Sequence, residues 1–158
     1  INEKTSGNGV AIPGHVIQVK QSVMTGRTHV TATSEVSVGS GNELLITPKF
    51  ASSKMLVTFI MPVIMSDTLL VYSNLYRDST SINLLTYYIE ETSGDWQTHT
   101  VTHNFLDSPN TTSAITYKVQ NRIENGTLSI NRNQSYSNTS DVYNGTGHSC
   151  FIAQEIVG

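Results

Sequence analysis

Apolar residues recur along this chain in short runs that alternate with polar ones, and turn-forming residues close each run. Val16, Ile17, Val19 and Val23 open the pattern and Val30, Thr31, Ala32 and Thr33 continue it, with Gly26 and the Gly39-Ser40-Gly41-Asn42 turn as punctuation. A period of two is the mark of a strand with one buried face. On the same grounds strands are predicted over 43–47, 55–64, 69–76, 82–89, 98–106, 114–123, 127–131 and 150–157, each of ordinary strand length. No stretch keeps an apolar period near 3.6 for three turns, and β-branched residues are frequent, so helix is expected to be nearly absent. Eight or more short antiparallel strands predict an all-β chain, an antiparallel β-sandwich of jelly-roll-like type.

The turns are legible in their own right. Pro48-Lys49-Phe50-Ala51-Ser52-Ser53, Asp107-Ser108-Pro109-Asn110 and Glu124-Asn125-Gly126 each carry turn chemistry. Because Asn125-Gly126 reaches positive φ at little cost, 114–123 and 127–131 are predicted to form a tight hairpin. Residues 1–14 carry Gly, Asn, Ser and Thr with Pro13 and no periodicity, and are expected to be an extended lead-in. That leaves 15–158 as a single sandwich domain, a reasonable size for one core. The stretch 131–147 is Asn-rich with few apolar anchors and is expected to be a long exposed loop or a poorly paired hairpin.

Some strands are apolar at consecutive positions: Leu56-Val57, Phe59-Ile60-Met61 and Leu69-Leu70-Val71. Alternation must send part of each run outward, and an outward apolar patch usually marks an interface. Phe59, Met61, Tyr87 and Tyr88 are accordingly the candidate oligomer-interface residues.

Composition narrows the function. Only 13% of residues are charged, the net charge is −3 and no like-charge run occurs, so the electrostatic footprint for nucleic acid is missing. The longest apolar stretches are broken by Thr58, Pro62, Ser66 and Asp67 and fall short of the roughly 20 residues that span a bilayer, so no membrane insertion is expected. Cys150 is the sole cysteine, which rules out an intrachain disulfide and a thiolate metal cluster within one chain.

Candidate chemistry is sparse. His99 and His103 on one strand lie on the same face about 13 Å apart, too far to share an ion, so both read as ordinary strand positions and no metal is expected. Glu90, Glu91, Asp95, Asp107 and Asp141 lack the paired setting that glycoside hydrolysis needs, and Asp107 reads as a turn-capping carboxylate. Neither a G-x-S-x-G elbow nor a phosphate-cradling glycine loop occurs. Asn110, Asn125, Asn133, Asn138 and Asn144 begin N-x-Ser/Thr triplets, which Asn- and Thr-rich loops produce by chance. The chain is therefore expected to be no enzyme and to need no cofactor. Asp95, Trp96 and Gln97, with Tyr136 and Tyr143, make an aromatic-plus-amide set of the kind that stacks on sugar rings, and are the candidate receptor or glycan contacts.

Two segments carry a resemblance, Leu45-Ile46-Thr47-Pro48-Lys49-Phe50-Ala51-Ser52-Ser53-Lys54-Met55-Leu56-Val57 and Phe105-Leu106-Asp107-Ser108-Pro109-Asn110-Thr111-Thr112-Ser113-Ala114-Ile115-Thr116-Tyr117-Lys118-Val119-Gln120. They resemble a family of small β domains of marine and freshwater bacteriophages, of the virion or tail-fibre type. Val16-Ile17-Gln18-Val19 and Ile152-Ala153-Gln154-Glu155-Ile156-Val157 look like that family's first and last strands, so the resemblance runs from about His15 to the end. It implies a domain at the tip of a fibre or one decorating a particle, exposed on the virion, assembled as a homotrimer with other virion proteins and touching a host surface glycan or protein. A capsid or tail decoration (cement) protein and a carbohydrate-binding module are the alternatives. The shared motifs are turns and strands and transfer no active site.

Overall fold

A computed structural model describes residues 12–39, 41–65, 69–89, 97–131 and 147–158. Among these residues the regular structure is entirely β. Eleven strands form: β1 (Val16–Met24), β2 (Thr28–Val30), β3 (Val36–Ser37), β4 (Glu43–Ile46), β5 (Lys54–Met65), β6 (Leu69–Arg77), β7 (Thr80–Ile89), β8 (Gln97–Asp107), β9 (Ile115–Ile123), β10 (Leu128–Ile130) and β11 (Ser149–Ile156).

Eight of them pair as a folded-over hairpin. β1 pairs with β11, β4 with β9, β5 with β8 and β6 with β7, all antiparallel, so the first strand meets the last and the pairing nests inward. Cross-pairs β11·β5 and β6·β9 then roll this hairpin into two sheets, β1-β11-β5-β8 and β4-β9-β6-β7. That is jelly-roll topology, and the predicted fold class holds. The short strands fill in at the rims. β10 lies beside β5 beyond β11 and carries β2, while β3 pairs with β9 next to β4.

Alternation decides which side chains fill the space between the sheets. β9 and β11 run strictly buried, half-buried, buried along their length, so Ile115, Tyr117, Val119 and Ile123 face Phe151 and Ala153 across the core. β5 contributes Val57, Phe59, Met61 and Val63, and the rings of Phe59 and Phe151 lie 4.7 Å apart. Each such side chain gains on the order of 2 kcal/mol from leaving water, which without disulfides is what holds the two sheets together.

One local prediction fails. The 114–123 and 127–131 segments do not form a hairpin, because β9 lies in one sheet and β10 in the other. Gly126 does take positive φ, 76°. Asn125 does not, so the two-residue hairpin turn expected there is not formed, and nothing local says which sheet the chain re-enters. All three β10 residues are buried, and that short apolar strand finds its partners on β5 and β2.

Polar ties join the sheets where the edges would otherwise part. Arg77 Nη1 reaches both carboxylate oxygens of Asp107, at 2.7 and 2.8 Å, and the Tyr117 hydroxyl donates to Asp107 Oδ2 at 2.7 Å. Asp107 ends β8 in one sheet, whereas Arg77 and Tyr117 belong to the other. Asp107 is thus a buried inter-sheet tie and no turn cap, which corrects the sequence reading. At the other side of the same sheet, buried Glu155 accepts from the Lys49 and Phe50 amides (2.7 and 3.2 Å) and from Gln18 Nε2 (3.0 Å), pinning the 48–53 turn.

Candidate interaction surface

Among the described residues the nearest thing to a reactive arrangement lies inside the sandwich. His103 of β8 is fully buried, with its Nδ1 2.9 Å from Asn83 Oδ1 and its Nε2 2.9 Å from Ser73 Oγ. An amide oxygen only accepts, so Nδ1 carries the proton and Nε2 accepts from the Ser73 hydroxyl. The order hydroxyl, imidazole, orienting group is that of an activated nucleophile. Here it cannot act as one. Ser73 and His103 have no surface for a substrate to reach, and burial pushes the imidazole down to about 4, making it a poor base at neutral pH. The cluster ties β8 to β6 and β7 instead, and the sequence reading of His103 as an ordinary polar strand position is corrected to a core one. Periodicity could have shown this, since His103 shares the inward parity of Val101 and Phe105.

That burial has a consequence for acid stability. Folding holds His103 neutral while the unfolded chain takes up its proton near pH 6.5, so the folded state binds fewer protons between about pH 6.5 and 4. Stability is expected to be full above pH 6.5 and to fall by about 3 kcal/mol as pH drops to 4. Urea unfolding at pH 7, 5.5 and 4.5 checks this against His103→Gln. An equal pH slope in both proteins would remove His103 as the cause.

The sequence-derived interface residues divide. Phe59 and Met61 are 0% exposed within the chain's own core, offer no surface to a second subunit, and are corrected to core residues. Tyr87 is half-buried and packs against that core, with its hydroxyl 3.5 Å from the Thr102 carbonyl, whereas Tyr88 is 67% exposed. Asp95, Trp96, Tyr136 and Tyr143 lie outside the described residues, and Gln97 is placed only as the first residue of β8. The strands do set where the two segments that carry them attach. Of the described residues that flank those segments, Ile89 pairs with Leu69, Gln97 pairs with Met65, and the Asn131 amide donates to the Pro62 carbonyl.

Parity leaves a second surface open, the outer face of β1-β11-β5-β8. Register places Val23, Cys150, Ile60 and Thr102 in one row across the four strands. The next outward row is Gln21, Ile152, Thr58 and Asn104, and the third is Val19, Gln154, Leu56 and Leu106. Val19, Ile60 and Leu106 keep 55%, 40% and 48% of their surface in contact with solvent. The opposite outer face is charged: Arg122 sits 3.4 Å over the Tyr72 ring, Tyr72 donates to Glu124, and Glu35 takes the Tyr76 hydroxyl and the Asn74 amide. The Glu35 contact raises the Tyr76 hydroxyl above its usual range.

No protein-family model matches the chain, and no curated protein does. Solved structures show a distant likeness in fold. The structure of the infectious bursal disease virus Gx strain is 11% identical over 89% of this chain and 37% of that one, with a TM-score of 0.48. The T13 IBDV viral particle is 12% identical over 89% and 36%, with a TM-score of 0.47, and the Gt strain is 11% identical over 100% and 42%, with a TM-score of 0.44. This chain spans about two fifths of the length of those it matches.

Proposed function

We propose that this chain is a virion structural protein of a bacteriophage, the tip domain of a tail fibre or receptor-binding protein, working as a homotrimer on the particle surface. The observation that carries the reading is the division of labour in the sandwich: the buried His103 and Asp107 clusters tie the sheets from inside, while the face of β1-β11-β5-β8, with neither acid nor base in its three rows, is left outside. That suits a body built to assemble and not to catalyse. The resemblance to small phage β domains supplies the particle and the threefold symmetry. Asp95, Trp96, Gln97, Tyr136 and Tyr143 are the proposed contacts to a host glycan or protein.

The test is location and competition. Antibody labelling of purified particles is expected to mark fibre ends, at a few copies per particle, and free protein is expected to slow adsorption to the host. Hundreds of copies spread over the capsid or tail would establish the decoration alternative instead. Absence from purified particles would end the virion reading.

A further inference from the structure

The outer face of β1-β11-β5-β8 has the size and chemistry of a contact with another molecule, and we infer that its occupant is a second copy of this chain. Four strands spaced about 4.8 Å apart, followed for seven or eight residues, give a face of on the order of 500 Å² in plan. Its accessible area is larger because side chains stand up from the pleat. Two such faces brought together approach the roughly 1,200 Å² at which stable protein interfaces begin. The face is also larger than the scattered apolar exposure that soluble proteins carry without consequence.

Charge selects the occupant. The twelve outward positions of the three rows include no acid and no base, and Lys54 stands only at the lower end of β5. An acidic or basic partner would find nothing to pair with there and would lose its own hydration. A second copy brings a neutral surface, apolar at seven of the twelve positions, and no like-charge repulsion, and meeting it face to face removes the exposed Val19, Ile60 and Leu106 of both molecules from water at once. The contact also follows from the sequence: Leu56 and Ile60 are the outward members of the doubly apolar runs whose inward members, Val57, Phe59 and Met61, fill the core.

In a twofold pair the face meets itself. In a ring of three it must meet a different surface of the neighbour. On the other sheet, the exposed Leu84 and Tyr88 of β7, at the edge opposite to the exposed Leu45 of β4, offer apolar side chains for that. This inference rests on the assembly part of the proposed function and is independent of which particle, or which part of one, carries the chain.

The purified full chain is expected to sediment at a fixed multiple of its 17.3 kDa mass. Ile60→Lys and Val19→Lys are each expected to shift it to the 17.3 kDa monomer with an unchanged far-ultraviolet circular dichroism spectrum. Leu45→Lys, at a more exposed position but on β4 in the other sheet, is expected to leave the mass alone. Should Ile60→Lys fail to fold, Val19→Lys on the edge strand carries the test. Cys150, beside Val23 and Ile60, reports on the same contact, and maleimide is expected to alkylate it more slowly in the oligomer than in either lysine variant. An oligomer whose mass survives both lysines overturns this face and leaves the assembly reading standing. A wild-type monomer overturns both, and a monomer with slowly alkylated Cys150 means that the chain covers its own face.

Discussion

Phe59→Ala is expected to lower the stability of the fold by about 4 kcal/mol, the range for emptying an aromatic site in a closed core. Phe59 has no exposed surface, lies tilted against Phe151 at 4.7 Å and touches the His103 ring at 6.4 Å between centroids. Its neighbours come from strands held in register by backbone hydrogen bonds on both sides of β5, so they cannot close in on the space it leaves. For a chain of this length the change amounts to about 12 °C in melting temperature. Phe59→Asp is expected to yield no folded protein, since a carboxylate there would have neither water nor a cation. If Phe59→Asp stayed folded and changed only the mass of the assembly, the burial described for Phe59 would be wrong.

The second large effect is expected at Asp107. Asp107→Ala removes the acceptor of three hydrogen bonds, leaves the Tyr117 hydroxyl buried without a partner and strands Arg77 against a half-closed site. The cost is expected to be about 3 kcal/mol in urea unfolding. Asp107→Asn keeps the volume and an acceptor for Tyr117 and is expected to cost about half as much. Burial, the hydrogen bond to Asp107 and its charge already hold the Tyr117 hydroxyl in its neutral form, so the tie does not loosen at mildly alkaline pH. Replacing Arg77 and Asp107 together by Met and Leu is expected to restore much of the loss, because a paired apolar substitution removes the desolvation cost along with the bond. If Asp107→Ala cost less than about 0.5 kcal/mol, the cluster would be a surface pair of the kind that contributes little.

Most of the strands could be read from the chain because their information is local. The 55–64, 69–76, 82–89 and 150–157 predictions fall within a residue or two of β5, β6, β7 and β11, since one buried face and closing turn residues suffice to mark a strand. The two residues of β3 were missed, being too short to show a period. Asp107 was misjudged because Leu-Asp-Ser-Pro looks like a turn from any local window, and its partners stand 30 residues before it and 10 after it. Phe59 and Met61 were assigned outward for a related reason. A doubly apolar run shows that one parity faces out without showing which, and only the register with Phe151 and His103 settles it: Phe59 and Met61 point in, Leu56 and Ile60 out.

By itself, then, the sequence determined the β class, the strand positions, the single cysteine and the near absence of charge on long stretches of surface, because each of these is a property of a residue and its immediate neighbours. Tertiary structure decided the rest. Asn125-Gly126 crosses between sheets instead of closing a hairpin, since pairing partners are chosen by where an apolar strand can be buried and not by the turn that leads to it. Whether an apolar residue becomes core or contact surface was likewise a question of parity against distant strands. The nested pairing of β1 with β11 and β5 with β8 answered it by gathering Val19, Ile60 and Leu106, far apart along the chain, onto one outward face.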